Sequence, residues 1–214
     1  MSKRDLRQMR RDYRRGELRR AALDPDPILQ FARWFQEAEH PDAVDPTAMF
    51  LATATAEGEP ALRTVLLKHF DHDGFCWYTD KRSDKGQQLA ANPRAELLFY
   101  WPELARQVRI SGSVVDLPVT EAEDYFHARP VDSRFSAATS EQSAVIAERA
   151  VLETRLAQLQ FEYPDGNVPR PAAWGGYRLE PRRFEFWQGR PNRLHDRFRY
   201  RLVDAVWEIE RLSP

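Results

Sequence analysis

A few side chains stand out by type and spacing. Arg63 and Lys68 lie five apart on a strand predicted over 62–70, so their side chains start on opposite faces. That suits two separate jobs better than one shared ligand. Arg193 and His195 lie two apart on a segment read as extended, so both can face one ligand. Arg can lie flat against a π system, and His can hydrogen-bond near neutral pH. Lys68, Tyr125, Arg129 and Ser133 offer an ammonium, a phenol, a guanidinium and a hydroxyl, a set able to clamp a phosphate. Gln142 and Ser143, at a predicted helix start, could present a hydroxyl and backbone N–H groups to an anion. Each has a plainer alternative: strand cations at the surface, Gln107 as a solvated strand residue, Arg129 as a helix-end charge matched to the dipole, Gln142-Ser143 as an ordinary cap, Trp187 as a half-buried aromatic.

Elements must position these groups. Asp26 can cap a helix and Pro27 suits its first turn; Ile28, Phe31, Ala32 and Phe35 recur at helical spacing, so 27–39 reads as an amphipathic helix. From 47 to 116 the pattern is β: strands over 48–55, 62–70, 75–79, 95–101 and 107–115, with Asp71-His72-Asp73-Gly74 as a hairpin turn and a short helix from Ser83 to about Asn92. Thr120 and Glu123 form a capping box for a helix ending before Arg129-Pro130. Residues 141–160 read as helix, with Val145, Leu152, Leu156 and Leu159 on one stripe. Strands return over 177–179, 184–188, 198–202 and 205–209. The expected class is α+β, an antiparallel β-barrel core with helices clustered at one side. The expected organisation is a basic arm, 1–26, and one domain, 27–214, containing a helical segment over 119–162 and C-terminal strands over 176–212.

Composition narrows the class. The chain has 214 residues and 42% hydrophobic content, and no apolar run approaches the ~20 residues of a membrane span. The charged start is not read as a secretory signal. One cysteine, Cys76, excludes an intrachain disulfide and a cysteine-rich zinc site, and fits a reducing cytoplasm. Residues 1–20 hold nine Lys/Arg against three Asp/Glu; the other 194 hold 23 against 30. Such an arm can bind nucleic acid, a membrane surface or a small anion, or be a solvated helix face. No G-x-G-x-x-G and no G-x-x-x-x-G-K-[ST] occurs, so the usual nucleotide loops are absent. His69-Phe70-Asp71-His72-Asp73-Gly74 lacks the later ligands of a calcium loop, and no metal is expected.

Four segments resemble the pyridoxine/pyridoxamine 5′-phosphate oxidase family: Arg63-Thr64-Val65-Leu66-Leu67-Lys68, Tyr125-Phe126-His127-Ala128-Arg129-Pro130-Val131-Asp132-Ser133, Glu185-Phe186-Trp187-Gln188-Gly189 and Arg193-Leu194-His195-Asp196-Arg197. The stretches 10–13 and 45–49 match more faintly, in the same order. The resemblance covers residue 7 to 214 and implies a split-barrel homodimer in the cytoplasm, with FMN sites at the subunit interface. It implies oxidation of pyridoxamine and pyridoxine 5′-phosphate to pyridoxal 5′-phosphate, with dioxygen reduced to hydrogen peroxide. FMN would be held by Arg63, Thr64, Val65, Leu66, Leu67, Lys68, Tyr78, Thr79, Lys85, Gln107, Gln142, Ser143, Trp187 and Arg197. The substrate phosphate would fall to Lys68, Tyr125, Arg129 and Ser133, and the reacting end to Arg193 and His195. Arg10, Tyr13 and Asp45 would close the site, which gives the arm a task other than nucleic acid or membrane binding.

One departure bears on the cofactor. The family's turn usually reads Ser-Arg-Lys; here it is Ser83-Asp84-Lys85, with an acid in place of a cation. Arg82 is the local candidate to substitute, sharing the FMN phosphate with Arg63 and Lys85 while Asp84 faces solvent at the helix start. Two rivals remain: an oxidase of a non-phosphorylated, phenazine-type aromatic, with little use for a phosphate clamp, and a non-enzymatic binder, using the barrel for flavin or haem or the arm for nucleic acid.

Overall fold

The computed structural model describes residues 5, 13, 16–40 and 44–214. Arg10 lies outside them. The described chain forms nine antiparallel-paired strands and five α-helices. They are α1 (Pro27–Ala38), β1 (Ala48–Ala54), β2 (Pro60–Leu66), β3 (His69–Asp71), β4 (Gly74–Asp80), α2 (Asp84–Ala91), β5 (Arg94–Trp101) and β6 (Arg106–Asp116). There follow α3 (Val119–Ala128), α4 (Val131–Thr139), α5 (Ala150–Glu162), β7 (Trp174–Gln188), β8 (Asp196–Val203) and β9 (Val206–Leu212). The strand order is β2-β1-β5-β6-β7-β4-β3, with β8 on β7 and β9 on β8. No described helix is long and apolar enough to cross a membrane.

The chain divides into two compact units. One holds residues 1–46, 97–110 and 182–214; the other holds 47–96 and 111–181. Strands β5, β6 and β7 run through both. In the first unit, the Asp26 carboxylate accepts from Ile28 N at 2.8 Å and Pro27 fills the first turn, so α1 begins as expected. Its buried face carries Ile28, Phe31 and Trp34. Phe31 meets Phe99 at 4.9 Å, and Trp34 meets Phe186 edge-on at 5.3 Å. In the second unit, Met49, Leu51, Phe75, Trp77 and Leu179 are fully buried, and a smaller cluster of Phe126, Phe135, Val168 and Trp174 packs beneath α3 and α4.

Four local expectations need correction. The strand expected over 62–70 is two strands. Leu67 N donates to Thr47 O and Lys68 N to Cys76 O, so at this point the chain leaves one partner for another: β2 pairs with β1 and β3 with β4. The opposite-face argument for Arg63 and Lys68 therefore does not apply. Thr120 is not a cap, because α3 starts at Val119 behind Pro118; Glu123 binds Arg170 and His127 instead. Helix α5 begins at 150, and Gln142-Ser143 lie in a turn where Ser143 adopts φ 68°; Val145 is fully exposed. The strands expected at 177–179 and 184–188 are one 15-residue strand, β7, which continues through Pro181. Helix α4 was not anticipated.

Candidate functional site

In the second unit, two cations, Arg63 and Lys85, lie close enough to repel each other, with Asp84 acting on both. The Lys85 ammonium is 2.9 Å from Gln142 Oε1, 3.1 Å from Ser83 Oγ and 3.2 Å from Thr79 Oγ1, all neutral oxygens. Arg63 is held from β1 and α2, donating to Leu51 O and to Gln88 Oε1 at 3.1 Å each. Burial, and then the charge of Arg63, push the Lys85 ammonium below its ordinary pKa; Asp80 and Asp84 offset this in part. Burial likewise lowers Arg63, with Asp84 opposing. Two desolvated cations that repel each other are a standing demand for an anion. The start of α2 and the Ser143 hydroxyl, which accepts from Asp84 N at 3.3 Å, lie in the same turn system. Asp84 is exposed at the first position of α2.

Arg82, expected to join these cations, forks onto Asp80 instead. Nη2 lies 2.7 Å from Oδ2 and Nε 3.1 Å from Oδ1, with Glu141 at 3.7 Å from Nη1. The fork leaves Nη1, 3.7 Å from Glu141, outside the Asp80 contact.

Beside this turn lies a cavity of about 340 Å³. Its walls include Lys68, Tyr78, Tyr125, Arg129, Gln142 and Trp174. Tyr78 stacks on Tyr125 at 4.1 Å and on Trp174 at 5.4 Å. The Arg129 guanidinium sits 5.1 Å from the Trp174 ring, and its Nη1 is buried with no hydrogen-bond partner among the described residues. Burial depresses the Arg129 pKa, with partial compensation from Tyr125. A guanidinium on a cavity wall, with burial lowering its pKa and no acid paired with it among the described residues, fits an acidic ligand oxygen. Ser133 is on α4, but the cavity wall takes Ser136 and Ser140 from that region. Tyr78 O–H donates to Glu121 at 3.2 Å, and burial followed by that carboxylate raises its pKa well above the phenol range. Asp80, Glu121 and Trp174 were missed from sequence; Trp174, ahead of Gly175-Gly176, gave no chemical signal by itself.

The first unit gathers the remaining groups. Trp187, near the end of β7, has its ring 4.7 Å from His195 and meets Tyr13 edge-on at 5.6 Å; Tyr13 meets His195 at 5.6 Å. A second pocket, about 190 Å³, brings Gln107, Trp187 and Arg197 together with Arg109, Glu185 and Pro214. Arg197 is fixed by Glu185 at 2.8 Å and by Ser213 O at 2.8 Å. Arg193 and His195 are not on an extended segment as expected. Pro191–Arg193 form a 3-10 turn in which Asn192 and Arg193 take φ 58° and 62°, so their proximity comes from a tight turn rather than strand alternation. Asp45 is exposed with φ 50°.

Residues 37–163 match the pyridoxamine 5′-phosphate oxidase family, and residues 174–214 match the pyridoxine 5′-phosphate oxidase C-terminal dimerisation region. A pyridoxine/pyridoxamine 5′-phosphate oxidase of Cyanothece sp. is 52% identical over 206 residues, 96% of this chain and 97% of that one. Its counterpart in Hydrogenovibrio crunogenus, pyridoxine/pyridoxamine 5′-phosphate oxidase 1, is 50% identical with both chains covered fully. Among solved structures, PhzG of Burkholderia lata, in complex with tetrahydrophenazine-1-carboxylic acid, superposes with a TM-score of 0.86 at 32% identity, over 91% of this chain and 95% of that one. Two matched regions and half-identical relatives along the whole length leave one assignment: the chain belongs to the pyridoxine/pyridoxamine 5′-phosphate oxidase family.

Proposed function

We propose that this chain binds FMN and oxidises pyridoxamine 5′-phosphate and pyridoxine 5′-phosphate to pyridoxal 5′-phosphate. The observation that carries the reading is one cavity lined together by Lys68, Tyr125 and Arg129, a place for a second phosphate apart from the one Arg63 and Lys85 call for. Bound FMN supplies two-electron oxidation at the substrate's C4′, with dioxygen as final acceptor giving hydrogen peroxide; with the amine, water then releases ammonia.

The chain's own residues bind and orient. Arg63 and Lys85 hold the cofactor phosphate, Gln142 and Ser143 line its turn, and Gln107, Trp187 and Arg197 contact the flavin. Lys68, Tyr125 and Arg129 hold the substrate phosphate, with Ser133 close by on α4. Arg193, His195 and Tyr13 meet the reacting end, and Arg10 and Asp45 help to close it. Fixing C4′ against the oxidant is the main rate contribution asked of the protein. Two copies pair through the C-terminal region, with FMN at the subunit interface.

The likeness to PhzG keeps a second reading in view, an oxidase of a non-phosphorylated phenazine-type aromatic. A phenazine-type carboxylic acid offers Arg129 one carboxylate, whereas the joint presence of Lys68, Tyr125 and Arg129 around one cavity suits the larger charge of a phosphate. A flavin spectrum, with peroxide and pyridoxal phosphate formation from each phosphorylated substrate, tests the first reading. Turnover of phenazine precursors alone would overturn it.

A further inference from the structure

The structure assigns His195 one fixed role, that of a neutral hydrogen-bond donor through Nε2, set by the backbone N–H of Arg190. The inference deepens the oxidase reading of this site and rests on it for the identity of the ligand. Arg190 N donates to His195 Nδ1 at 3.0 Å. An amide N–H offers no lone pair, so Nδ1 is the unprotonated nitrogen. A neutral imidazole carries one proton, which therefore sits on Nε2.

Charging the ring is opposed twice. Placing a proton on Nδ1 would set two N–H groups head to head and break the Arg190 contact. Burial, and then the positive charge of Arg193, also move His195 below its ordinary value of 6.5.

The donor is itself held firmly. Arg190 Nη1 donates to Gly16 O at 2.7 Å, its Nε is 3.5 Å from Asp196 Oδ2, and its Nη2 is 3.9 Å from Glu17. The Asp196 carboxylate, next in sequence to the histidine, takes Arg211 at 2.8 Å and Leu18 N at 3.1 Å. The turn through Asn192 and Arg193, both at positive φ, folds the ring back onto residue 190. Trp187 and Tyr13 pack against the ring.

His195 Nε2–H is thus suited to donate to an oxygen of the substrate, its ring hydroxyl or C4′ hydroxyl, while no lone pair remains at Nε2 to take the substrate's proton. His195 recognises and orients; another group receives the proton.

The test is ¹⁵N NMR of histidine-labelled, FMN-loaded protein from about pH 5.5 to about pH 9, with His195 assigned by difference from His195→Gln. The expected result is an unprotonated Nδ1, a protonated Nε2, and no titration at or above 6.5. A proton on Nδ1, or titration at or above that value, overturns the assignment. Kinetics provide a second arm. A Gln amide reaches near the Nε2 position and an Asn amide near Nδ1, so His195→Gln should keep at least about tenfold more kcat/KM for pyridoxine phosphate than His195→Asn. Equal loss in both, with the wild-type acid limb abolished, would make His195 the base and overturn the donor role. Failure of the wild type to oxidise any phosphorylated substrate would overturn the oxidase reading instead and leave the NMR result standing.

Discussion

The guanidinium of Arg82 is forked onto the Asp80 carboxylate, with Nη2 2.7 Å from Oδ2, and Asp80 is only 5% exposed while Arg82 is 47% exposed. The pair sits beside the turn that carries Gln142, whose backbone also donates to Asp80. Arg82 is therefore committed to a buried carboxylate beside that turn.

Burial pushes the Asp80 carboxyl up, but the Arg82 fork, the Arg82 and Gln142 backbone N–H groups and the Arg82 charge hold it below its ordinary value of 3.8. A depressed folded-state pKa contributes stability that is present above 3.8 and lost as pH falls through the depressed value. Arg82→Ala leaves burial opposed by fewer partners. It should lose about 1–2 kcal/mol at neutral pH, reduced from the fully buried case because the arginine is half exposed. Thermal unfolding against pH should show the wild-type advantage shrinking on the acid side. A constant gap would refute the charge account.

Lys85 and Arg63 are expected to carry the cofactor phosphate. Lys85→Ala should weaken FMN by about ten- to a hundredfold, matching about 1.5–3 kcal/mol for a charge-assisted contact. Asp84→Ala should change it by less than about tenfold, because Asp84 is exposed and screened. Fluorescence titration at low and high salt measures both. A tenfold gain in Asp84→Ala would mean the acid faces the phosphate.

Arg129→Ala and Lys68→Ala should each raise KM for pyridoxine phosphate by roughly ten- to a hundredfold while FMN stays bound. Unchanged kinetics in both variants would remove the clamp. Arg193→Ala should lower kcat/KM more than it lowers Tm, once the folded fraction has been checked.

Gly176 faces Tyr78 across β4 and β7. A Cβ there would lie 2.7 Å from the Tyr78 ring and 2.6 Å from Leu117. Gly176→Ala should push Tyr78 out of its stack with Tyr125 and Trp174, at about 1–3 kcal/mol in stability. Substrate KM should rise even where folding is restored by lower temperature. A normal KM in folded protein would show that the stack does not shape the cavity.

Short-range physics made part of this protein legible from its sequence. The Asp26 cap and Pro27 fix the start of α1, and alternation marks β5 and β6, because caps and periodicity involve residues a few positions apart. The types of the charged side chains likewise pointed to phosphate chemistry before any geometry existed. Tertiary structure decided the rest, wherever distant groups compete for one partner. The exchange of β1 for β4 at Leu67 and Lys68 depends on backbone acceptors at Thr47 and Cys76. The commitment of Arg82 depends on a buried Asp80 being the nearer and less solvated anion. Trp174 became part of a cavity wall only when β7 brought it against Tyr78 and Arg129, and His195 Nδ1 acquired a donor only when a turn set Arg190 N–H against it.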